Sequence, residues 1–247
     1  MIKTLETWLE EDVQKVREKP IKWLSEMYFH RETSFPKKIN QNVLYAPASG
    51  TIINVQEGIK PKEKMAELKG IHYSLDEMFG DYVDLKEDEE YLVIDIYMSF
   101  YDQHFNYTPC SGYRTYEEID SMRSFNLPMI AMEKELLKGV VNPNLCVDYM
   151  HENGRMLNII DSPKIGELVY VAQISDFDVS KILSYEDYGN HLQQCQRFGK
   201  ITLGSQCTLF VKKETELYTL EIREDVKVGM HCEATDPLVN IIFKNQE

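Results

Sequence analysis

Two short segments of this chain hold the side chains best suited to chemistry. The first, Tyr101-Asp102-Gln103-His104-Phe105-Asn106-Tyr107-Thr108-Pro109-Cys110-Ser111-Gly112, sets a histidine with a carboxylate two residues before it and an amide two residues after it. A neutral imidazole accepts and returns a proton near pH 7, which makes His104 the candidate acid/base and Asp102 its candidate partner. The second, Arg197-Phe198-Gly199-Lys200-Ile201-Thr202-Leu203-Gly204-Ser205-Gln206-Cys207, carries a Gly-Ser pair inside a strand-like run far downstream. Taken singly, both signals are weak. Most Gly-Ser pairs are turns, and most lone histidines at a strand end are structural.

Several other chemistries find no support. Ser205 is not framed by a G-x-S-x-G elbow, so a serine hydrolase of that type is not indicated. The six histidines show neither HxxxH nor HxH spacing, and no metal site is expected. Cys110, Cys146, Cys195, Cys207 and Cys232 are odd in number and have no CxxC spacing, so they read as reduced thiols of an intracellular protein. A net charge of −14 argues against nucleic acid as a partner and disfavours adhesion of the whole surface to an anionic membrane. The start Met1-Ile2-Lys3-Thr4-Leu5-Glu6 has no signal-peptide pattern, and no run approaches the roughly 20 apolar residues of a membrane span. The expected location is cytoplasmic, with peripheral membrane contact as an option.

The elements that must position these residues follow from the pattern. At 247 residues the chain can bury one sizeable core, and 43% hydrophobic with 28% charged residues is ordinary for a globular protein. Leu5, Trp8, Leu9, Val13 and Val16 fall at helical steps, and Pro20 starts a second short helix with Ile21, Trp23, Leu24 and Met27. Residues 1–42 read as a helical arm and linker, packed on the core or facing a partner, and 43–247 as the main domain. Ser74-Leu75-Asp76-Glu77-Met78-Phe79-Gly80 has the spacing of a capped helix. Tyr91 to Ser99 is the clearest buried strand, Met129 to Leu137 fits a helix closed by Lys138-Gly139, and β runs are expected at 156–160, 168–174, 200–212, 217–222 and 238–243. The class is mainly β with peripheral α-helices, an α+β arrangement.

Four stretches, in order, resemble the phosphatidylserine decarboxylase family. Leu44-Tyr45-Ala46-Pro47-Ala48-Ser49-Gly50-Thr51-Ile52 is similar to its early SPxDG strand-turn. Lys69-Gly70-Ile71-His72-Tyr73-Ser74-Leu75 through Gly80 is similar to its KG-x-x-YSL helix entry. Met98 to Gly112 resembles its SPxDYHxxHxPxxG strand and loop, and Phe198-Gly199 followed by Gly204-Ser205 resembles its FG…GST cleavage strand. His151-Glu152-Asn153-Gly154-Arg155 lies where that family has Asn-Glu-Arg. The likeness runs over roughly residues 30–245 and implies a β-sandwich or barrel fold related to barrel-sandwich hybrid modules.

The resemblance implies a proenzyme that cuts itself between Gly204 and Ser205 and converts Ser205 into a covalent pyruvoyl cofactor. Such a group forms a Schiff base with the substrate amine and takes up the electron pair left by decarboxylation. Glycine before the serine leaves the attacked carbonyl unshielded. Ser205, His104 and Asp102 are then the expected catalytic residues, with Ser49 and Tyr107 in support. The implied activity is that of a carboxy-lyase in phospholipid metabolism, acting on phosphatidylserine or on a small amino acid. A peripheral membrane contact through the N-terminal arm and a homodimer are further expectations.

The chain departs from the family pattern at three places. Ser49 stands where the family has an aspartate of its self-cleavage triad, and serine carries no charge to stabilise an imidazolium. Tyr107 replaces a second histidine, and a phenol with a pKa near 10 is a poor base at neutral pH. Gln206 follows the serine where threonine or arginine is usual. Asp102 and His104 could supply an alternative pair for cleavage. The rival class is a non-processing, catalytically silent homologue that serves as a binding module. A biotinyl- or lipoyl-type module is the other competitor by pattern, but its candidate lysine, in Ala131-Met132-Glu133-Lys134, sits in a helical context.

Overall fold

Each residue of the strand Tyr91–Met98 is buried, and its two faces serve two different cores. Tyr91, Val93 and Tyr97 join one apolar cluster, whereas Leu92, Ile94, Ile96 and Met98 join the other. A strand apolar on both faces belongs in the middle of a layered fold. The computed structural model describes residues 2–32, 35–68, 71–122, 127–176, 182–185, 189–202 and 205–244, with the side chains of 66–68, 71–72, 146–147 and 205 outside that description.

Among the described residues, Tyr91–Met98 lies inside a nine-stranded sheet. The order is Lys3–Thr4, Met230–Cys232, Gly50–Ile59, Tyr91–Met98, Ser205–Lys212, Glu167–Ser175, Arg155–Ser162, Gly112–Ile119 and Asn190–Leu192. Every neighbouring pair is antiparallel. One face is covered by the N-terminal arm, through Leu5, Trp8, Val13, Leu24 and Phe29, and by short helices that contribute Leu75, Phe79, Met132 and Leu136. The other face is covered by two three-stranded sheets. One joins Tyr218–Ile222, Pro237–Phe243 and Val43–Tyr45; the other joins Ile182–Ser184, Arg197–Ile201 and Phe105–Tyr107. The architecture is mainly β with peripheral helices, as composition and periodicity predict.

Local chemistry explains where the helices begin. The Thr4 side chain accepts from the Thr7 N–H at 3.1 Å ahead of the Leu5–Trp8 helix, which runs on through a π-helical Leu9–Val13 into Gln14–Val16. Pro20 precedes Ile21–Glu26. Ser74 and Glu77 form a reciprocal capping box on Leu75–Phe79, with the Glu77 N–H donating to Ser74 Oγ at 3.2 Å and the Ser74 N–H donating to Glu77 Oε2 at 3.0 Å. Gly50 is required by close packing, since a Cβ there would collide with the Tyr97 carbonyl oxygen of the next strand.

One sequence expectation needs correction. The run 200–212 is not one strand: Arg197–Ile201 pairs with Phe105–Tyr107 in a small sheet, whereas Ser205–Lys212 enters the large one. The turn at Val226–Gly229, with Gly229 at φ +88°, leads first into the short strand Met230–Cys232 and only then to the last strand. Cys110, Cys195, Cys207 and Cys232 are buried free thiols.

Candidate active site

Strand exchange between the two sheets brings the candidate residues together. Ser205 opens its strand with a neighbour on each side, opposite Met98 on one and Ser175 on the other. Its side chain and all of Gly204 lie outside the described residues. Beyond Met98 the chain turns at Ser99 and delivers Asp102 and His104 to the end of the sheet. Ile201, the last residue of the small-sheet strand before Ser205, donates its N–H to the His104 carbonyl at 3.1 Å.

His104 is fully buried. Its N–H donates to the Phe29 carbonyl at 2.9 Å, and its ring stacks on Phe29 with centroids 3.8 Å apart and planes 1° apart. Nε2 lies 3.0 Å from the Ser99 carbonyl oxygen and Nδ1 lies 3.2 Å from that of Ile201. Burial pushes its pKa down to about 4, against the upward pull of the two carbonyls and of Asp102. The imidazole poised near pH 7 that sequence alone suggests is therefore replaced by one that is neutral throughout the physiological range.

Asp102 does not pair with His104. Its Oδ2 accepts from both the N–H and the Oγ of Ser99, each at 2.8 Å, and its Oδ1 lies 2.7 Å from Nε2 of His231. Burial alone would push this carboxyl up; the charge and hydrogen bond of His231, with help from Arg31 and Ser99, outweigh it and hold the pKa below the usual carboxylate value. Both members of the pair are buried, and Trp8 stacks on the His231 ring at 4.8 Å.

Two of the three departures from the family pattern, Ser49 and Tyr107, have partners of their own. Ser49 Oγ donates to Glu233 Oε2 at 2.8 Å and accepts from Gln103 Nε2 at 3.1 Å and the Ala234 N–H at 2.8 Å. A carboxylate thus stands beside Ser49, brought from a distant part of the chain. Tyr107 is buried, its N–H donates to the Pro47 carbonyl at 2.9 Å, and its hydroxyl accepts from Arg197 at 3.3 Å. Arg197 also lies 3.7 Å over the Phe105 ring and pairs with Glu32 at 2.7 Å.

Residues 27–236 match the family model for phosphatidylserine decarboxylase. The chain belongs to the phosphatidylserine decarboxylase family. It is 24% identical over 212 residues to a phosphatidylserine decarboxylase proenzyme of Pelagibacter ubique (strain HTCC1062), covering 86% of this chain and 77% of that one. It is 22% identical over 194 residues to the proenzyme of that name from Wolbachia pipientis wMel, covering 78% and 68%. A third, from Geotalea uraniireducens (strain Rf4), is 28% identical over 130 residues, 53% of each chain.

Within this phosphatidylserine decarboxylase family chain, the segment His151–Arg155 serves the same end of the sheet. Asn153 Nδ2 donates to the Ser175 carbonyl at 2.8 Å, and Ser175 is the residue opposite Ser205. Arg155 closes the preceding helix, Val147–Glu152, by donating to the His151 carbonyl, and ties it to Leu75–Phe79 by donating to the Met78 carbonyl at 3.0 Å. Gln206 accepts at Oε1 from the Tyr149 hydroxyl at 3.0 Å.

Two residues near this end escaped sequence reasoning. His231 has no local signature, being a single histidine in a three-residue strand. Glu133 lies on the Ile130–Leu136 helix, 3% exposed, with neither carboxylate oxygen in full hydrogen-bonding geometry with a donor among the described residues. Burial raises its pKa to about 8; the charge of Asp102 adds to the rise, and the nearby Phe100 backbone and Tyr97 hydroxyl oppose it. Glu133 shares the buried stripe of its helix with Met129, Met132 and Leu136, at i, i+3, i+4 and i+7 steps, and that position is the signal that could have found it.

Proposed function

We propose that this protein is a pyruvoyl-dependent decarboxylase made as a proenzyme, with Gly204-Ser205 as the cleavage pair and Ser205 as the source of the cofactor. The observation that carries this is the double link between His104 and Ile201, which ties a buried imidazole to the segment four residues ahead of Ser205. The strand fits the group: Ser205 is paired on both sides, so a new chain end at that position stays held between Met98 and Ser175 after the peptide bond is cut. A pyruvoyl group there would supply a carbonyl that takes up the substrate amine and then the electron pair released with carbon dioxide.

The chain's own residues do the rest. His104, neutral and shielded from water by Phe29, accepts a proton at one ring nitrogen and returns it. Asp102 holds the Ser99 turn on which His104 rests. Ser49 and Tyr107 are supporting residues that fix the loop through Gln103 and Pro47. The substrate class is an α-amino carboxylate, phosphatidylserine or a smaller amino acid. The arm offers a lipid-facing patch of Ile21, Trp23 and Met27, with Lys19 above the Trp23 ring at 5.4 Å.

One observation favours the second reading, a non-processing homologue. Ser49 and Tyr107 are already engaged by Glu233 and Arg197. Intact mass under denaturing conditions separates the two. Two chains split at 204/205, the smaller starting with a blocked residue lighter than serine by the loss of ammonia, establish the pyruvoyl enzyme. A single chain of 28.9 kDa after long incubation removes the cofactor and leaves the binding module.

A further inference from the structure

A polar chain crosses the end of the large sheet and finishes at the segment before Ser205. It starts at His231, whose Nε2 lies 2.7 Å from Asp102 Oδ1. It passes through Asp102 Oδ2 to the N–H and Oγ of Ser99, both at 2.8 Å, and from the Ser99 carbonyl to His104 Nε2 at 3.0 Å. It ends where Nδ1 of His104 meets the Ile201 carbonyl at 3.2 Å. Two rings of the N-terminal arm clamp its imidazoles, Trp8 on His231 and Phe29 on His104.

His231 cannot reach Ser205 itself. It sits opposite Thr51, Thr51 opposite Tyr97, and Tyr97 opposite Gln206, so three strand spacings of about 4.8 Å separate it from the neighbourhood of Ser205. Its influence has to pass through Asp102. A neutral imidazole owns one N–H, yet both nitrogens of His104 face carbonyl oxygens. Something must decide which carbonyl receives the proton, and the position of Ser99 is the variable that the Asp102–His231 pair controls.

We propose that His231 is a positioning residue for His104: paired with Asp102, it fixes the Ser99 turn so that the Ser99 carbonyl takes the Nε2 proton and the Nδ1 lone pair is left toward Ile201 and the segment leading to Ser205. What His104 then does with that lone pair rests on the proposed function; the positioning does not. A buried carboxylate deprived of its charge partner is costly, which is why the pair holds the turn firmly. Among the described residues, the other charged and titratable groups bearing on Asp102 or His104 are Arg31 and Tyr28 of the arm, Glu133 of the Ile130–Leu136 helix, and Cys232 beside His231, with Glu233 acting on Tyr28 and Cys232 in turn.

The test uses the full-length chain carrying Ser205→Ala, which cannot form the cofactor, labelled with nitrogen-15 in its histidine rings. Ring spectra are followed with pH, and the His104 signals are assigned by their loss in His104→Gln. The expected result is a neutral His104 protonated at Nε2 alone. In His231→Gln, that single tautomer becomes a mixture and the His104 pKa moves up by about one unit, since Asp102 then faces His104 with less compensation. An unchanged tautomer and pKa in folded His231→Gln would overturn the proposal. So would an Nδ1-protonated His104 in the parent, a result that stands even where the variant does not fold. Failure of the unsubstituted chain to cleave bears only on the proposed function, because the ring measurement needs no cleavage.

Discussion

Asp102 takes its imidazole from His231, 129 residues away, and not from His104, two residues away. The reason is geometric. Asp102 sits in the turn after Met98 with its carboxylate folded back on Ser99, while the ring of His104 is drawn between the carbonyls of Ser99 and Ile201. Two imidazoles thus flank one turn, one bonded to the carboxylate and the other to the backbone that the carboxylate holds.

Asp102→Asn removes the charge but keeps the shape. It is expected to cost about 3–5 kcal/mol at pH 7, the range for breaking one side of a buried ion pair. The Asp102 pKa is depressed in the fold, so its contribution is present above the unfolded carboxyl value and is lost as pH falls through the folded one. Urea unfolding should therefore show a large deficit at pH 7 that shrinks towards pH 3. An equal deficit at both pH values would argue against a charged pair.

Glu133 works in the opposite sense. With a folded pKa of about 8, raised above the unfolded value, it is neutral in the fold while the unfolded chain ionises above that lower value. The penalty grows as pH rises from about 4.5 and levels off near 8, reaching about 3 kcal/mol at pH 7. Glu133→Met should raise the melting temperature at pH 7.5 and leave it nearly unchanged at pH 4.5. Destabilisation at pH 7.5 would show that the acid has a partner in solution.

His104 makes the fold sensitive to acid. Its pKa of about 4 in the fold lies below the ordinary imidazole value of 6.5, so the unfolded chain binds the proton first as pH drops. Stability should fall by about 3 kcal/mol between those two values, and His104→Gln should flatten that slope. If His104 moves the proton in self-cleavage, His104→Ala should also slow the appearance of cut chains by at least ~100-fold, followed by intact mass.

Gly199 is held by close approach, with a Cβ there falling 2.6 Å from the Leu183 carbonyl oxygen. Gly199→Ala should push apart two strands of the small sheet and displace Ile201 from His104. The expected outcome is slower processing together with a lower melting temperature. Wild-type processing in the variant would mean that the approach of Arg197–Ile201 to its neighbour does not govern the site.

The arm's exposed Ile21 and Met27, 60% and 63% accessible, should mediate contact with lipid. Exchange of both for aspartate should abolish co-sedimentation with vesicles containing anionic lipid and leave the melting temperature within a degree or two, since neither residue belongs to the buried core. Vesicle binding that survives the exchange would place the contact elsewhere.

Features set by neighbours in the chain were legible from the residues. The Ser74–Glu77 box depends on four consecutive positions, and Tyr91–Met98 announces a two-faced central strand by an apolar run broken at Asp95. The ordered segments around Ser49, Ser74, His104 and Gly204 were enough to suggest the family, which the match over residues 27–236 then showed. By contrast, the alternation from 200 to 212 gives no hint that the run splits between two sheets. That division follows from Ile201 binding His104 while Ser205 pairs with Met98.

The sequence by itself determined the class of fold, the start of its capped helices, its central strand and the candidate loop and strand. Tertiary structure alone decided which carboxylate meets which imidazole, that Glu233 stands beside Ser49, and that no described donor lies in full hydrogen-bonding geometry with Glu133. Periodicity and capping are local, written in residues a few positions apart. Pairing and burial depend on which distant strands the sheet brings into register, and a pKa follows from that burial.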